Sequence, residues 1–169
     1  SWFIRRPIVS TIHGRVWAFG NLRTAVAAMF FECHLRLHPL AALISEVVRS
    51  PATRNAPVIG NAYDSDIFFS NNTLRAIGSV IFSGRITRTK GPFVLLDALQ
   101  ILRCEGLELH ATFAGSGPHE TELREAVRSA GLDSVVTVLG HCEPGRVAEL
   151  LRAHQIAAIP SDWQEPFGL

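Results

Sequence analysis

The chain has 169 residues, 47% of them apolar, and its 16 basic side chains nearly balance 15 acidic ones. That length supports one full core or parts of two, and near-neutrality excludes both the broad basic footprint of a nucleic-acid binder and an acidic tail. Cys33, Cys104 and Cys142 are odd in number, far apart and never in C-x-x-C spacing, which suggests neither a disulfide framework nor a zinc site and suits buried or idle thiols in a reducing cytosol.

In chain order, Ile8 to Ile12 is a β-branched run ending at His13-Gly14, a predicted strand and loop. A helix is expected from about Leu22 to Arg36, closed by Pro39. Its apolar stretch, Ala25 to Phe31, is bounded by Glu32, His34 and Arg36 and falls short of the roughly 18 residues that span a bilayer. Ala42 to Ile44 reads as a second strand, Ser45 as an N-cap for Glu46 to Arg49, and Val58-Ile59 as a third extended piece. The segment from Asn61 to Asn72 turns polar and irregular and reads as a linker at a domain boundary.

Beyond it strands and helices alternate. Strands are expected at Val80 to Ser83, Leu107 to Ala114, Val135 to Leu139 and Ile156 to Ile159, with helices at Pro92 to Cys104, His119 to Ala130 and Pro144 to His154. Apolar stripes such as Leu95, Leu99 and Leu102 give each helix one face to bury, and Gly131 is placed for a left-handed C-terminal cap. This is the pattern of a parallel, doubly wound α/β sheet. The chain opens at Ser1 beside a strand, has Met29 as its one methionine and stops in a loop at Phe167-Gly168-Leu169. It is read as an internal fragment, incomplete at both ends.

In such a sheet ligands gather outside the carboxyl ends of the strands. That edge receives Gly84-Arg85 through Lys90, Gly115-Ser116-Gly117-Pro118, Gly140-His141-Cys142, and Pro160-Ser161 through Glu165-Pro166-Phe167-Gly168. Lys90 is the one lysine beside fifteen arginines. A compact ammonium kept at a strand-to-helix turn, where an arginine fork is used everywhere else, points to phosphate oxygens. Arg85, Gly84 and the positive end of the helix opening at Pro92 suit a diphosphate at the same place. Gly115-Ser116-Gly117 alone is a weak signal, equally compatible with a tight turn. No His pair has metal-ligand spacing with a carboxylate, and no Ser-His-Asp set can be assembled.

Taken together these residues resemble the retaining glycosyltransferases of the group-1 type (glycosyltransferase family 4), whose GT-B fold sets two Rossmann-like domains across a cleft. Ile81-Phe82-Ser83-Gly84-Arg85 with Lys90-Gly91 is similar to the family's GR…KG segment, Ala114-Gly115-Ser116-Gly117-Pro118 to its G-x-G-P turn, and Pro160-Ser161 with Glu165-Pro166-Phe167-Gly168-Leu169 to its PS…EPFGL segment. Pro7 to Gly14 resembles the late strand and histidine of the first domain, and Ile59 to Asp64 with Phe68 the entry to the second.

The resemblance implies residues 1–60 as the end of an acceptor-side domain, 61–76 as linker and 77–169 as the first half of a nucleotide-sugar domain. It implies transfer of a sugar from a nucleoside-diphosphate donor to an unknown glycan, lipid or small-molecule acceptor, with retention. Arg85, Lys90 and Gly84 would bind the donor diphosphate, Glu165 would reach the transferred sugar with His13 opposite, and the backbone of Phe167, Gly168 and Leu169 would hold sugar or phosphate. Gly115, Gly117, Gly140 and His141 would face the nucleotide. No metal or other cofactor is expected, nor nucleic acid. The location implied is cytoplasmic, with peripheral attachment at the inner membrane face as a further expectation. The second glutamate of the family's E-x7-E pair would fall at position 173, past Leu169, so the fragment is expected to be inactive alone. A noncatalytic nucleotide-sugar-binding module and a Rossmann-type nucleotide-binding protein of another kind, such as an oxidoreductase, are the alternatives.

Overall fold

The computed structural model describes residues 10–12, 33, 41–43, 53–60, 62–71 and 74–162. The chain divides into two units, the second of them Tyr63–Gln164. In the first, β1 (Ser10–Ile12) and β2 (Ala41–Leu43) pair in parallel with Thr11 opposite Ala42. On the other side of β2, the Leu43 N–H donates to Pro57 O (2.8 Å) and the Ile59 N–H to Leu43 O (2.9 Å), making Val58 a third parallel rung. All three extended pieces predicted before the linker are therefore present, β2 one residue earlier than expected. Cys33 is helical, as the reading of 22–36 requires, and the rest of that helix, Ser45 and Glu46 to Arg49 lie outside the described residues.

The second unit carries a four-stranded parallel sheet. In chain order its elements are β3 (Ala76–Ser83), α1 (Pro92–Cys104), β4 (His110–Ala114), α2 (Glu120–Ser129), β5 (Val136–Gly140), α3 (Pro144–Ala153) and β6 (His154–Ala158), and the strands lie in the order β5-β4-β3-β6. Side chains alternate across each strand, so Val80 and Phe82 of β3 pack with Phe113, Leu95, Leu99, Leu123 and Val127 beneath α1 and α2. Ile81, between them in sequence, joins Ala114 and Leu150 of α3 on the opposite face. Helices on both faces of a parallel sheet give the doubly wound arrangement read from the sequence. Phe82 and Phe113 meet at 5.7 Å between ring centroids.

Element ends differ from expectation where hydrogen bonds complete a helix cap. β4 starts at His110, three residues late, because the N–H groups ahead of it cap α1: Gly106 donates to Arg103 O (3.1 Å) and Leu107 to Leu102 O (2.9 Å). That pair is a Schellman motif, and Gly131 and Leu132 repeat it on Arg128 O and Val127 O after α2. His154, expected to end α3, is extended and opens β6, while its ring reaches back to Leu150 O (2.7 Å) and across to Thr112 Oγ1 (2.9 Å). β3 begins at Ala76, and its ladder to β6 slips between Ala76 and Val80.

The polar segment after Ala62 is ordered against this unit. Asp64 closes a turn by accepting from Phe68 N (2.8 Å) and, through Oδ1, from Asp66 N (3.0 Å). Arg152 of α3 then clasps it, donating to Ile67 O at 3.0 Å with its guanidinium 4.5 Å from the Phe69 ring centroid. All three cysteines are free, Cys33 and Cys104 exposed and Cys142 half-buried, which fits the idle rather than the buried half of the expectation. Among the described residues no helix is long and apolar enough to cross a membrane.

Candidate functional site

β3 has β4 on one side and β6 on the other. The connections on either side of it therefore leave in opposite directions, and a crevice opens outside its carboxyl end. The loops around that point are joined through their backbones. Gly84 N donates to Ala114 O (3.0 Å), Gly115 N to Gly140 O (2.7 Å), Ile86 N to Ser116 O (2.9 Å) and His119 N to Ile86 O (3.3 Å). On the other flank Asp162 N donates to Thr89 O (3.1 Å). All four carboxyl-end loops thus form one continuous rim.

Close approach explains the glycines. A Cβ on Gly115 would stand 1.9 Å from Gly84 O, and one on Gly117 2.3 Å from Ile86 O. Their immediate physical reason is loop-to-loop contact. Gly91, at φ 73°, lies against Pro160 with 1.9 Å between its missing Cβ position and Pro160 O.

Between Gly84 and Gly91 the chain makes a 3-10 turn at Arg88–Lys90. Lys90 N donates to Thr87 O (3.1 Å) and Gly91 N to Arg88 O (2.9 Å), after which Pro92 opens α1. Lys90 is half-buried and Arg85 exposed. Both cations therefore lie on the β3 loop at the switch point, beside the end of α1 whose partial charge is positive. Gly84 is on that loop, Gly115 and Gly140 are tied to it in turn through the bonds above, Gly117 abuts Ile86 O, and His141 is exposed, with Nε2 3.3 Å from Glu143 Oε1. His13, Glu165, Phe167, Gly168 and Leu169 lie outside the described residues, as does Trp163.

Three neighbours escaped the sequence reading. Arg88 pairs with Glu122 of α2, and its guanidinium lies 5.0 Å from the Phe93 ring centroid. Phe93 in turn meets His119 edge-on at 6.5 Å. Glu120 pairs with Arg124 at 2.8 Å and stands 3.3 Å from where a Cβ on Gly140 would be. A cation midway through the GR…KG run and two carboxylates in the first turn of a helix were visible, but their partners were not. Among the described residues no group of three or more His, Cys, Asp or Glu side chains could hold a metal.

The family described as glycosyl transferases group 1 matches residues 68–169. The D-inositol 3-phosphate glycosyltransferase of Pseudarthrobacter chlorophenolicus is 39% identical over 94 residues, covering 53% of this chain and 22% of that protein, and that of Rhodococcus erythropolis is 41% identical over 98 residues with the same coverage. The chain thus spans about a fifth of the length of these curated relatives. Among solved structures, sucrose-phosphate synthase of Thermosynechococcus elongatus superposes with TM-score 0.74 at 19% identity, over 99% of this chain and 47% of that one. Anabaena HepE, crystallised with UDP and glucose, gives 0.67 at 21% identity, over 97% and 49%. At these identities the structural likeness concerns the fold.

Proposed function

This chain belongs to the group 1 glycosyltransferases, and from that premise we propose that the protein carrying it transfers a sugar from a nucleoside-diphosphate donor whose diphosphate rests on the rim at Arg85 and Lys90. The carrying observation is the placement of both cations on the β3 loop at the switch point, immediately before the N-terminus of α1. Breaking a sugar–phosphate bond builds negative charge on the departing diphosphate, and fixed cations stabilise that charge as it forms. Residues 1–60 belong to the acceptor-side domain in this reading, 61–76 link, and 77–169 begin the nucleotide-sugar domain.

The finer roles follow from the family resemblance. Glu165 reaches the transferred sugar, His13 faces it, Phe167 to Leu169 supply backbone contacts, and Gly115, Gly117, Gly140 and His141 border the nucleotide. Attack from the leaving-group face, with the departing phosphate taking the acceptor proton, retains the anomeric configuration without a carboxylate nucleophile. A product of inverted configuration would sink that part of the reading. UDP sugars are the first donors to try, given the UDP bound to HepE, and inositol 3-phosphate the first acceptor, given the names of the curated relatives.

The test is donor binding and acceptor-dependent turnover in the full-length protein. Lys90→Ala should weaken donor binding about ten- to a hundredfold, the loss of one charge-assisted contact of about 1.5–3 kcal/mol. Arg85→Ala should act in the same direction. Unchanged binding in both variants would overturn the site, whereas binding without turnover against any acceptor would favour a noncatalytic sensor.

A further inference from the structure

We infer that Arg88 is a positioning residue for the phosphate-binding turn, held by Glu122 and Phe93 so that Lys90 is presented to the donor diphosphate; the inference rests on the phosphate-site reading above. The turn is only three residues long. Geometry of this kind is poor at holding itself, because 3-10 hydrogen bonds are bent and the run is short. Lys90 adds a flexible four-carbon stem, so where its ammonium lies depends on how firmly its backbone is anchored.

One side of the turn is anchored to the β6 loop, through Asp162 N to Thr89 O at 3.1 Å and the Gly91–Pro160 contact. On the α2 side Arg88 makes the connection. Its guanidinium pairs with Glu122 across 34 positions of sequence and stacks on Phe93, whose ring meets His119, whose N–H bonds Ile86 O ahead of the turn. Arg88 thereby closes a loop of contacts around the segment bearing Lys90. A planar fork can pair and stack at once, which a lysine at 88 would not do.

One observation favours positioning over direct phosphate contact. Glu122 neutralises Arg88, so the pair offers the diphosphate little net charge, and Glu122 is itself favoured in the first turn of α2 by the helix dipole. The two side chains are also 63% and 45% exposed, and an ion pair so wet adds little to overall stability.

The experiment is calorimetric titration of the full-length protein with UDP, GDP and ADP, using Arg88→Ala, Glu122→Gln, Lys90→Ala and the doubles with Lys90→Ala, with melting temperatures alongside. Arg88→Ala and Glu122→Gln should each weaken diphosphate binding about fivefold, as loss of an exposed pair and its stack implies. Melting temperature should stay near wild type, and neither change should weaken binding further once Lys90 is alanine. Loss in Arg88→Ala but not Glu122→Gln would mean that Arg88 touches phosphate itself, and effects that add to Lys90→Ala would mean that it acts elsewhere. Either result overturns the inference. If Lys90→Ala binds normally, the phosphate site fails first and the positioning role with it.

Discussion

Gly115 and Gly131 separate two reasons for lacking a side chain. A methyl on Gly115 would meet Gly84 O at 1.9 Å, while at Gly131, φ 63°, nothing lies within 4 Å. Gly131→Ala should therefore cost only the strain of a left-handed alanine, about 1–2 kcal/mol. Gly115→Ala must push apart two loops joined by backbone bonds and should cost more, about 3 kcal/mol, and weaken donor binding as well. Denaturant unfolding of both variants, with a donor titration, checks the contrast. If Gly115→Ala costs no more than Gly131→Ala, the rim is softer than its bonds imply. Of the residues at this scale, the placement of Arg85 and Lys90 on a strand-to-helix turn was legible because charge and spacing coincide with that turn in sequence. Arg88 and Glu122 were not, since only the fold brings positions 34 apart together.

At the scale of elements, the slip between β3 and β6 is filled by side chains. Gly78 N donates to Gln155 Oε1 (2.8 Å), and buried Ser79, 4% exposed, donates through Oγ to Ala76 O (2.5 Å) while accepting from Gln155 N (3.0 Å). Ser79→Ala removes the partner of two backbone groups and should cost about 1–3 kcal/mol in unfolding free energy. A neutral result would mean that water replaces the hydroxyl. The Arg152 clasp is likewise testable: Phe69→Ala should speed amide exchange at Phe68, whose N–H closes the Asp64 turn, and exchange at the wild-type rate would show the turn independent of it. Strand and helix identities were readable because periods of 2.0 and 3.6 differ plainly along the chain. Their ends were not, because Gly106-Leu107 and His154 are assigned by helix caps and by a ring bonded to Thr112, 42 positions away.

For the molecule as a whole, the order β5-β4-β3-β6 places α1 and α2 against one face and α3 against the other. Phe113 is fully buried between β3 and the first two helices. Phe113→Ala should destabilise the second unit by about 3–5 kcal/mol, read by thermal or denaturant unfolding. A loss below about 1 kcal/mol would mean that the core collapses into the space. The carboxyl edge was legible from alternating strands and helices alone, because a parallel sheet gathers the loops after its strands along one side, whereas the order β5-β4-β3-β6, and with it the switch point, came only from the fold. The roles of His13 and Glu165 rest on family resemblance, since both residues lie outside the described positions.

The rim is joined by main-chain bonds from Gly84 to Gly140, and the side chains of Arg85, Ser116 and His141 stand exposed along it. Main-chain bonds do not depend on which side chain a residue carries. Exposed positions on this edge can therefore be exchanged at small cost in folding while the loops keep their course. A scaffold of that kind separates what must stay the same from what can vary, and lets exposed side chains along this edge change by single substitutions without first rebuilding the loops.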